Sequence, residues 1–177
     1  MKPLVLLVDD DPALTDALKR RLRKEPYTIL EAHSGEEALK ILSERDVTVV
    51  VSDENMPGMT GTELMGKIRL EYPRVMRIIL TGNASLDAAL RAINEGQIYR
   101  FLVKPVGKVE IMMAIRLAIE QHKLLEENER LRRMVKKQES LLERLEREAP
   151  GITKVNRDAD GAILIDDAPW TPGNTGK

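Results

Sequence analysis

Residues 4–107 alternate between short apolar runs and longer amphipathic segments, and this alternation restricts the possible folds more than any other feature. The apolar runs predict strands over Leu4–Val8, Thr28–Ala32, Val47–Ser52, Met76–Thr81 and Arg100–Val103. The amphipathic segments predict helices over Pro12–Lys24, Gly35–Glu44, Thr60–Glu71 and Leu86–Glu95. Repeated strand–helix units form a parallel sheet with helices on both faces. The sequence therefore predicts an α/β protein with a doubly wound five-stranded parallel sheet.

Local signals indicate where several of these helices begin. Asp11 is followed by Pro12, which is the order of a helix N-cap and a proline at the first helical position. The stretches "SGEE" at 34–37 and "TGTE" at 60–63 have the spacing of capping boxes. We therefore assign Asp11 to the capping of the first helix.

Polar side chains stand at the carboxyl ends of four predicted strands. Asp9 and Asp10 follow the first strand, Asp53 follows the third, Thr81 ends the fourth and Lys104 follows the fifth. In an open parallel sheet, ligands bind outside the carboxyl ends of the strands. The sequence thus predicts one site that contains three carboxylates, a hydroxyl and an ammonium group.

Clustered carboxylates repel one another, and they are costly to desolvate beside an apolar core. An all-oxygen anionic site suits a magnesium ion, which offsets this repulsion and attracts a phosphoryl group. Asp53 could then act as a nucleophile and form an acyl phosphate. In this hypothesis Lys104 pairs with one phosphoryl oxygen and Thr81 donates a hydrogen bond to another.

The stretches "LVDDDP", "VVVSDENMPGMTG", "ILTGNAS" and "FLVKP" resemble the receiver domain of two-component response regulators, in particular the chemotaxis-regulator type. The resemblance implies a flavodoxin-like strand order 2-1-3-4-5 and a receiver domain over residues 1–120. It also implies Mg²⁺ as the cofactor and a sensor histidine kinase as the phosphoryl donor. The only enzymatic activity implied is self-phosphorylation and self-dephosphorylation at Asp53.

The resemblance also implies a magnesium site and a phosphoacceptor. Asp53 matches the phosphorylated aspartate of the family. The metal ligands match Asp9, Asp10, Asp53 and the backbone carbonyl of Asn55.

Further positions match the residues that sense the phosphoryl group in the family. Thr81 matches the switch hydroxyl, Lys104 the phosphate-binding lysine and Phe101 the switch aromatic residue. A cis peptide bond is implied between Lys104 and Pro105.

A magnesium-dependent phosphatase of the haloacid-dehalogenase type is the alternative enzyme hypothesis. Those enzymes also use an aspartate nucleophile, a hydroxyl residue, a lysine and an acidic pair. They carry the nucleophile on the first strand, with a second aspartate two residues later. Here the acidic pair comes first and Asn55 stands two residues after Asp53. The order of the motifs therefore favours the receiver.

The segment from Lys108 to Glu148 contains neither proline nor glycine, which predicts roughly 60 Å of helix. Residues spaced alternately by four and three positions form a heptad seam: Leu117, Gln121, Leu124, Asn128, Leu131, Val135, Gln138, Leu142, Leu145 and Ala149. The sequence predicts a coiled-coil helix over 117–149, continuous with the last receiver helix, and a homodimer formed through it.

The basic residues of this helix do not indicate a DNA-binding leucine zipper, because they lie within the seam region and alternate with glutamates. The net charge of −1 predicts neither nucleic acid nor an anionic membrane as a partner, and no apolar run approaches the length of a membrane span. We expect a cytoplasmic protein that signals through dimer geometry or an unknown output protein. The alternative is a receiver fragment of a longer protein whose output enzyme is absent from this chain.

The tail over 150–177 is predicted to be a short hairpin-like or disordered segment. Its stretch "NRDADGAILIDD" partly matches a calcium-binding loop, but Asn156 and Asp167 depart from that motif at the first and last positions. A hairpin that turns at "DADG" is the favoured interpretation.

Overall fold

A single parallel sheet forms the centre of the computed structural model, which describes residues 2–82 and 98–148. Its strands are β1 (Leu4–Val8), β2 (Thr28–Ala32), β3 (Val49–Asp53), β4 (Met76–Thr81) and β5 (Arg100–Val103). They are arranged in the order β2-β1-β3-β4-β5, and every neighbouring pair is parallel. The predicted doubly wound α/β fold and its strand order are confirmed.

The described helices are α1 (Pro12–Leu22), α2 (Gly35–Glu44), α3 (Gly61–Glu71) and α4 (Lys108–Glu148). The helix predicted over Leu86–Glu95 lies outside the described residues, as do Ala149 and the tail over 150–177. None of the described helices has a stretch that is both long enough and apolar enough to cross a membrane.

Four predicted boundaries differ from the structure by one or two residues. Strand β3 begins at Val49 instead of Val47, whose N–H donates within the preceding turn to the Arg45 carbonyl oxygen, and it ends at Asp53 instead of Ser52. Helix α1 ends at Leu22 instead of Lys24. Thr60 is the N-cap of α3, so the helix itself begins one residue later.

The two predicted capping boxes form differently. At α3 the box is complete: the Thr60 hydroxyl accepts from the Glu63 backbone N–H, and the Glu63 carboxylate accepts from the Thr60 N–H. At α2 the Ser34 hydroxyl accepts from the Glu37 N–H at 3.1 Å. The Glu37 carboxylate, however, accepts from the N–H of His33 at 2.7 Å, one residue earlier than the motif predicts.

The alternating side chains of the central strands build one hydrophobic core on each face of the sheet. Leu6 and Val8 face the core that is completed by Ala38 and Leu42 of α2 and by Leu64, Met65 and Ile68 of α3. Val5 and Leu7 face the core that is completed by Leu22 of α1 and by Ile111, Ala114, Ile115 and Ala118 of α4. Helices therefore cover both faces and leave the carboxyl ends of the strands free for a site.

The chain divides into two units, one up to Glu129 and one from Arg130 onwards. In the first unit, α4 is held to the loop before β4 by His122, whose Nδ1 lies 2.8 Å from the carbonyl oxygen of Arg74. The Arg74 guanidinium also pairs with Glu129 at 3.4 Å. In the second unit, the helical seam residues Leu131, Val135, Leu142 and Leu145 are exposed.

Candidate functional site

Asp9 lies directly beyond β1 and is buried, with 4% of its surface exposed. Its backbone N–H donates to the carbonyl oxygen of Ala32, which extends the pairing with β2. Its Oδ1 accepts a hydrogen bond from the Asp11 N–H at 3.0 Å. The Asp11 carboxylate itself accepts from the Ala13 N–H at 2.8 Å, so Asp11 caps α1 as predicted. Asp11 is therefore the cap of α1, whereas Asp9 belongs to the candidate site.

Asp53 is the last residue of β3 and is also buried, with 6% of its surface exposed. Strand β4 fixes its position by pairing Leu80 opposite it, and the Ser52 hydroxyl donates to its carbonyl oxygen at 2.8 Å. The first residue of α3, Gly61, passes very close to the same carbonyl. A Cβ atom at Gly61 would lie 2.4 Å from the Asp53 oxygen, so only glycine fits this approach.

The loop after Asp53 is fixed by Glu54, whose carboxylate accepts hydrogen bonds from both the backbone N–H and the hydroxyl of Thr62. Burial raises the pKa of the Glu54 carboxyl, although the hydrogen bonds from Thr62 act in the opposite direction. Gly58 has a φ of +80°, a conformation that favours glycine. The side chain of Asn55 is exposed at this loop.

Lys104 connects the two buried carboxylates. Its Nζ lies 2.8 Å from Asp53 Oδ1 and 3.3 Å from Asp9 Oδ2, and its backbone N–H donates to the carbonyl oxygen of Thr81 at 2.8 Å. Burial alone would lower the pKa of the Lys104 ammonium, but its contacts with Asp53 and Asp9 outweigh burial and raise that pKa. The Lys104–Pro105 peptide bond is cis.

The remaining predicted residues lie on the neighbouring strands. Thr81 ends β4, opposite Val103, and is buried. Phe101 lies on β5 and packs against the core formed with α2 and α3. Asp10 is exposed beside Asp9. The structure thus gathers the predicted strand-end residues at the carboxyl ends of β1, β3, β4 and β5.

The carboxylates of this site suit a divalent cation. One oxygen from each of Asp9, Asp10 and Asp53 lies within 4.8 Å of the other two. The ammonium of Lys104 offsets only one of these three negative charges. Asp53 Oδ1 is buried and, apart from its ion pair with Lys104, receives no hydrogen bond in the described part of the chain. Hard oxygen donors with residual negative charge fit Mg²⁺, so these three residues could hold it.

The sequence did not predict the residues that hold the site aspartates in position. Gly61 lies against the Asp53 carbonyl, and Thr62 donates hydrogen bonds to Glu54. The ring of His33 also reaches the Asp9 carbonyl oxygen, with Nδ1 at 3.3 Å. The glycine directly after the N-cap Thr60 was the available signal for a close approach of α3 to β3.

Known proteins resemble this chain mainly over the sheet and its helices. Residues 5–116 match the family described as the response regulator receiver domain. The transcriptional regulatory protein GlrR of Escherichia coli K12 is 41% identical over 117 residues, which cover 66% of this chain and 26% of GlrR. The chain spans about a quarter of the length of the curated relatives that it matches.

Two solved structures show the same fold. The crystal structure of adenylate cyclase from Rhodopirellula baltica has a TM-score of 0.71 at 40% identity, over 75% of this chain and 98% of that chain. The response regulator protein TrrA from Thermotoga maritima, in complex with Mg²⁺-BeF, has a TM-score of 0.60 at 31% identity, over 67% of this chain and 99% of that chain.

Proposed function

The chain belongs to the family of response regulator receiver domains, and from this membership we propose that it is a switch controlled by phosphorylation of Asp53. The observation that carries the proposal is the position of Lys104, whose ammonium lies between the buried carboxylates of Asp53 and Asp9 at the carboxyl edge of the sheet. A phosphoryl group on Asp53 would lie within reach of this ammonium. The donor in this proposal is a sensor histidine kinase, as it is for response regulators in general.

The proposed reaction moves one phosphoryl group. A carboxylate oxygen of Asp53 forms a bond to phosphorus while the P–N bond of the donor phosphohistidine breaks, and the donor imidazole leaves with the electron pair of that bond. Asp9, Asp10 and Asp53, with the carbonyl of Asn55, would hold Mg²⁺. The metal, when bound, supplies charge neutralisation for the transferring group. Lys104 contributes a second positive charge, and the Thr81 hydroxyl donates a hydrogen bond to the phosphoryl product.

Intact-mass spectrometry after incubation with acetyl phosphate and magnesium tests this assignment. Wild type should gain the mass of one phosphoryl group, and Asp53→Asn should gain none, because the amide lacks a nucleophilic carboxylate oxygen. Asp11→Asn is the matched control: it makes the same chemical change at a residue that only caps α1, and it should be labelled like wild type. Chelation of the metal should prevent the labelling of wild type and of Asp11→Asn. Undiminished labelling of Asp53→Asn contradicts the proposal.

We also propose that the chain consists of a receiver domain over 1–120, a coiled-coil helix over 117–149 and a tail over 150–177, and that it forms a homodimer. Support comes from the seam, because Leu124 and Leu131 are 65% and 51% exposed in the single chain. Burying the exposed part of such side chains against a second copy would stabilise the dimer by about 1–2 kcal/mol each. Asn128 on the seam would favour a parallel, in-register pair.

The output in this proposal is a change of dimer geometry or the binding of an unknown output protein, in a cytoplasmic pathway. Helix α4 begins four residues after Lys104, so a change at that lysine has a short covalent path to the helix. Multi-angle light scattering of the full chain with and without beryllofluoride, an aspartyl-phosphate mimic, tests the dimer. A monomer in both states contradicts it.

A further inference from the structure

Helix α3, like every α-helix, begins with backbone N–H groups that have no backbone partner within the helix. The capping box satisfies two of them, those of Thr60 and Glu63. The next two are satisfied by Glu54: the Gly61 N–H donates to its carbonyl oxygen at 3.0 Å, and the Thr62 N–H donates to its carboxylate at 3.1 Å. A residue outside the helix therefore completes the start of α3.

Glu54 is also tied to the sheet. It follows β3 directly, and its backbone N–H donates to the Leu80 carbonyl oxygen of β4 at 2.9 Å. Both oxygens of its carboxylate accept from the Thr62 hydroxyl, at 3.0 and 2.9 Å. Glu54 therefore joins β3, β4 and α3 at the start of the loop that follows Asp53.

Asn55 lies between Glu54 and a second anchor. Asn55 is exposed, whereas the next residue, Met56, is buried in the core that α2 and α3 form with the sheet. The Met56 sulfur also lies 3.9 Å from the Ser52 hydroxyl oxygen. Since the residues on both sides are held, the Asn55 peptide group is held with them.

This restraint is relevant to a magnesium site, because Mg²⁺ demands a near-ideal octahedral arrangement of its ligands. A carbonyl oxygen on a loop meets that demand at the lowest entropic cost when its peptide group is already held in place. Glu54 is not itself a ligand in this arrangement, because both of its carboxylate oxygens accept from Thr62. In the described part of the chain, the carboxylates that lie close enough to share one ion are those of Asp9, Asp10 and Asp53.

We propose that Glu54 is a positioning residue for the magnesium site: it holds the Asn55 carbonyl in place as a metal ligand, and it does so through its hydrogen bonds and not through its charge. This inference rests on the proposed function, in which that carbonyl is a ligand. It adds a residue that controls the affinity for Mg²⁺ without touching the ion. Replacing residues that support metal ligands typically weakens metal binding by about 10–100-fold.

Isothermal titration calorimetry of the full chain with Mg²⁺, in the absence of a phosphoryl donor, provides the test. Glu54→Ala removes the bonds to Thr62 and should weaken Mg²⁺ binding about tenfold. Glu54→Gln should stay close to wild type, because its amide oxygen can accept from the Thr62 N–H while its amide N–H donates to the Thr62 hydroxyl. Both variants lose the same charge, so the difference between their affinities isolates the hydrogen bonds.

Glu63→Ala is the matched control, because it removes a carboxylate that caps the same helix but accepts from the Thr60 N–H. Urea unfolding should show that Glu54→Ala and Glu63→Ala both lower stability, yet only Glu54→Ala should weaken Mg²⁺ binding. Labelling by acetyl phosphate adds a kinetic test. The labelling rate of Glu54→Ala should fall at low Mg²⁺ and return to the wild-type value at saturating Mg²⁺, because Asp53 keeps its nucleophilic oxygen.

The behaviour of wild type separates the two ways of failing. Wild type that binds no Mg²⁺ or gains no phosphoryl mass contradicts the proposed function itself. If wild type does both, equal Mg²⁺ affinities of Glu54→Ala and wild type overturn the inference about Glu54, as does a labelling rate of Glu54→Ala that stays low at saturating Mg²⁺. An equally weak affinity of Glu54→Gln also overturns it and assigns the effect to charge. An equally weak affinity of Glu63→Ala overturns it and assigns the effect to helix capping in general.

Discussion

Replacing Gly61 by alanine should damage both the stability of the protein and the phosphorylation of Asp53. The added Cβ would lie 2.4 Å from the Asp53 carbonyl oxygen, 3.0 Å from the Glu54 Cα and 3.1 Å from the Asp53 carbonyl carbon. These neighbours are backbone atoms at the end of a buried strand, so they cannot move aside as a flexible side chain could. Either the start of α3 or the end of β3 must shift.

The expected magnitude follows from two opposing effects. Alanine is the better helix former by about 0.8–1 kcal/mol in a helix interior. Overpacking in a well-packed region typically costs about 1–3 kcal/mol, and backbone contacts this short fall at the upper end of that range. We therefore expect Gly61→Ala to lower the free energy of unfolding by about 1–2 kcal/mol. A shift of β3 would displace the Asp53 carboxylate from its present position 2.8 Å from the Lys104 ammonium, so labelling by acetyl phosphate should also slow.

Gly66→Ala is the matched control on the same helix, because a Cβ at Gly66 meets no atom within 4 Å. It should raise the free energy of unfolding by about 0.5–1 kcal/mol through helix propensity alone. Urea unfolding followed by circular dichroism measures both variants, and intact-mass spectrometry measures labelling. If Gly61→Ala is stabilised like Gly66→Ala and is labelled at the wild-type rate, the steric argument is wrong.

Three further predictions concern the seam, the switch residue and a helix cap. Leu131→Asp/Leu142→Asp should convert the proposed dimer into a monomer in light scattering, whereas Ser140→Asp, which adds a charge off the seam, should not. Thr81→Ala should still accept a phosphoryl group but should lose the change in hydrogen exchange that beryllofluoride causes in wild type; an unchanged response would remove Thr81 from the switch. Hydrogen bonds from Thr60 lower the pKa of the Glu63 carboxyl from its ordinary value of 4.5. A lowered pKa in the folded state stabilises the fold above pH 4.5, and this contribution is lost as the pH falls through the folded pKa. The stability difference between wild type and Glu63→Ala in urea unfolding should therefore be constant near neutral pH and shrink below pH 4.5; a difference that grows on acidification would contradict the capping box.

The strand-end residues could be predicted from the sequence because a parallel sheet brings the carboxyl ends of its strands together. The end of each strand is marked in the sequence by a change from apolar to polar residues. Asp9, Asp53 and Lys104 could therefore be placed at one edge of the sheet before any distance was known. The distances of 2.8 and 3.3 Å from the lysine to the two carboxylates follow from that arrangement.

Features that depend on how separate elements approach one another could not be predicted in this way. The contact of Gly61 with Asp53 depends on the path of the loop before α3, which has no periodic signal. Lys108 and Arg20 line the same depression because α4 packs beside α1, and these two helices are far apart in the sequence. The sequence did not predict the hydrogen bond between His122 and the carbonyl oxygen of Arg74, because an isolated histidine on a helix is usually solvated.

The bond from Lys104 to Asp9 joins residues 95 positions apart, and it connects the sheet to the segment after β5, which pairs only with β4. During synthesis, Asp9, Asp10 and Asp53 all leave the ribosome before the lysine that offsets their charge. An immature chain that has not added its last strand therefore holds the three acids without their internal counter-ion. Until β5 has joined the sheet, the proposed switch would therefore lack the cation that contacts both Asp53 and Asp9.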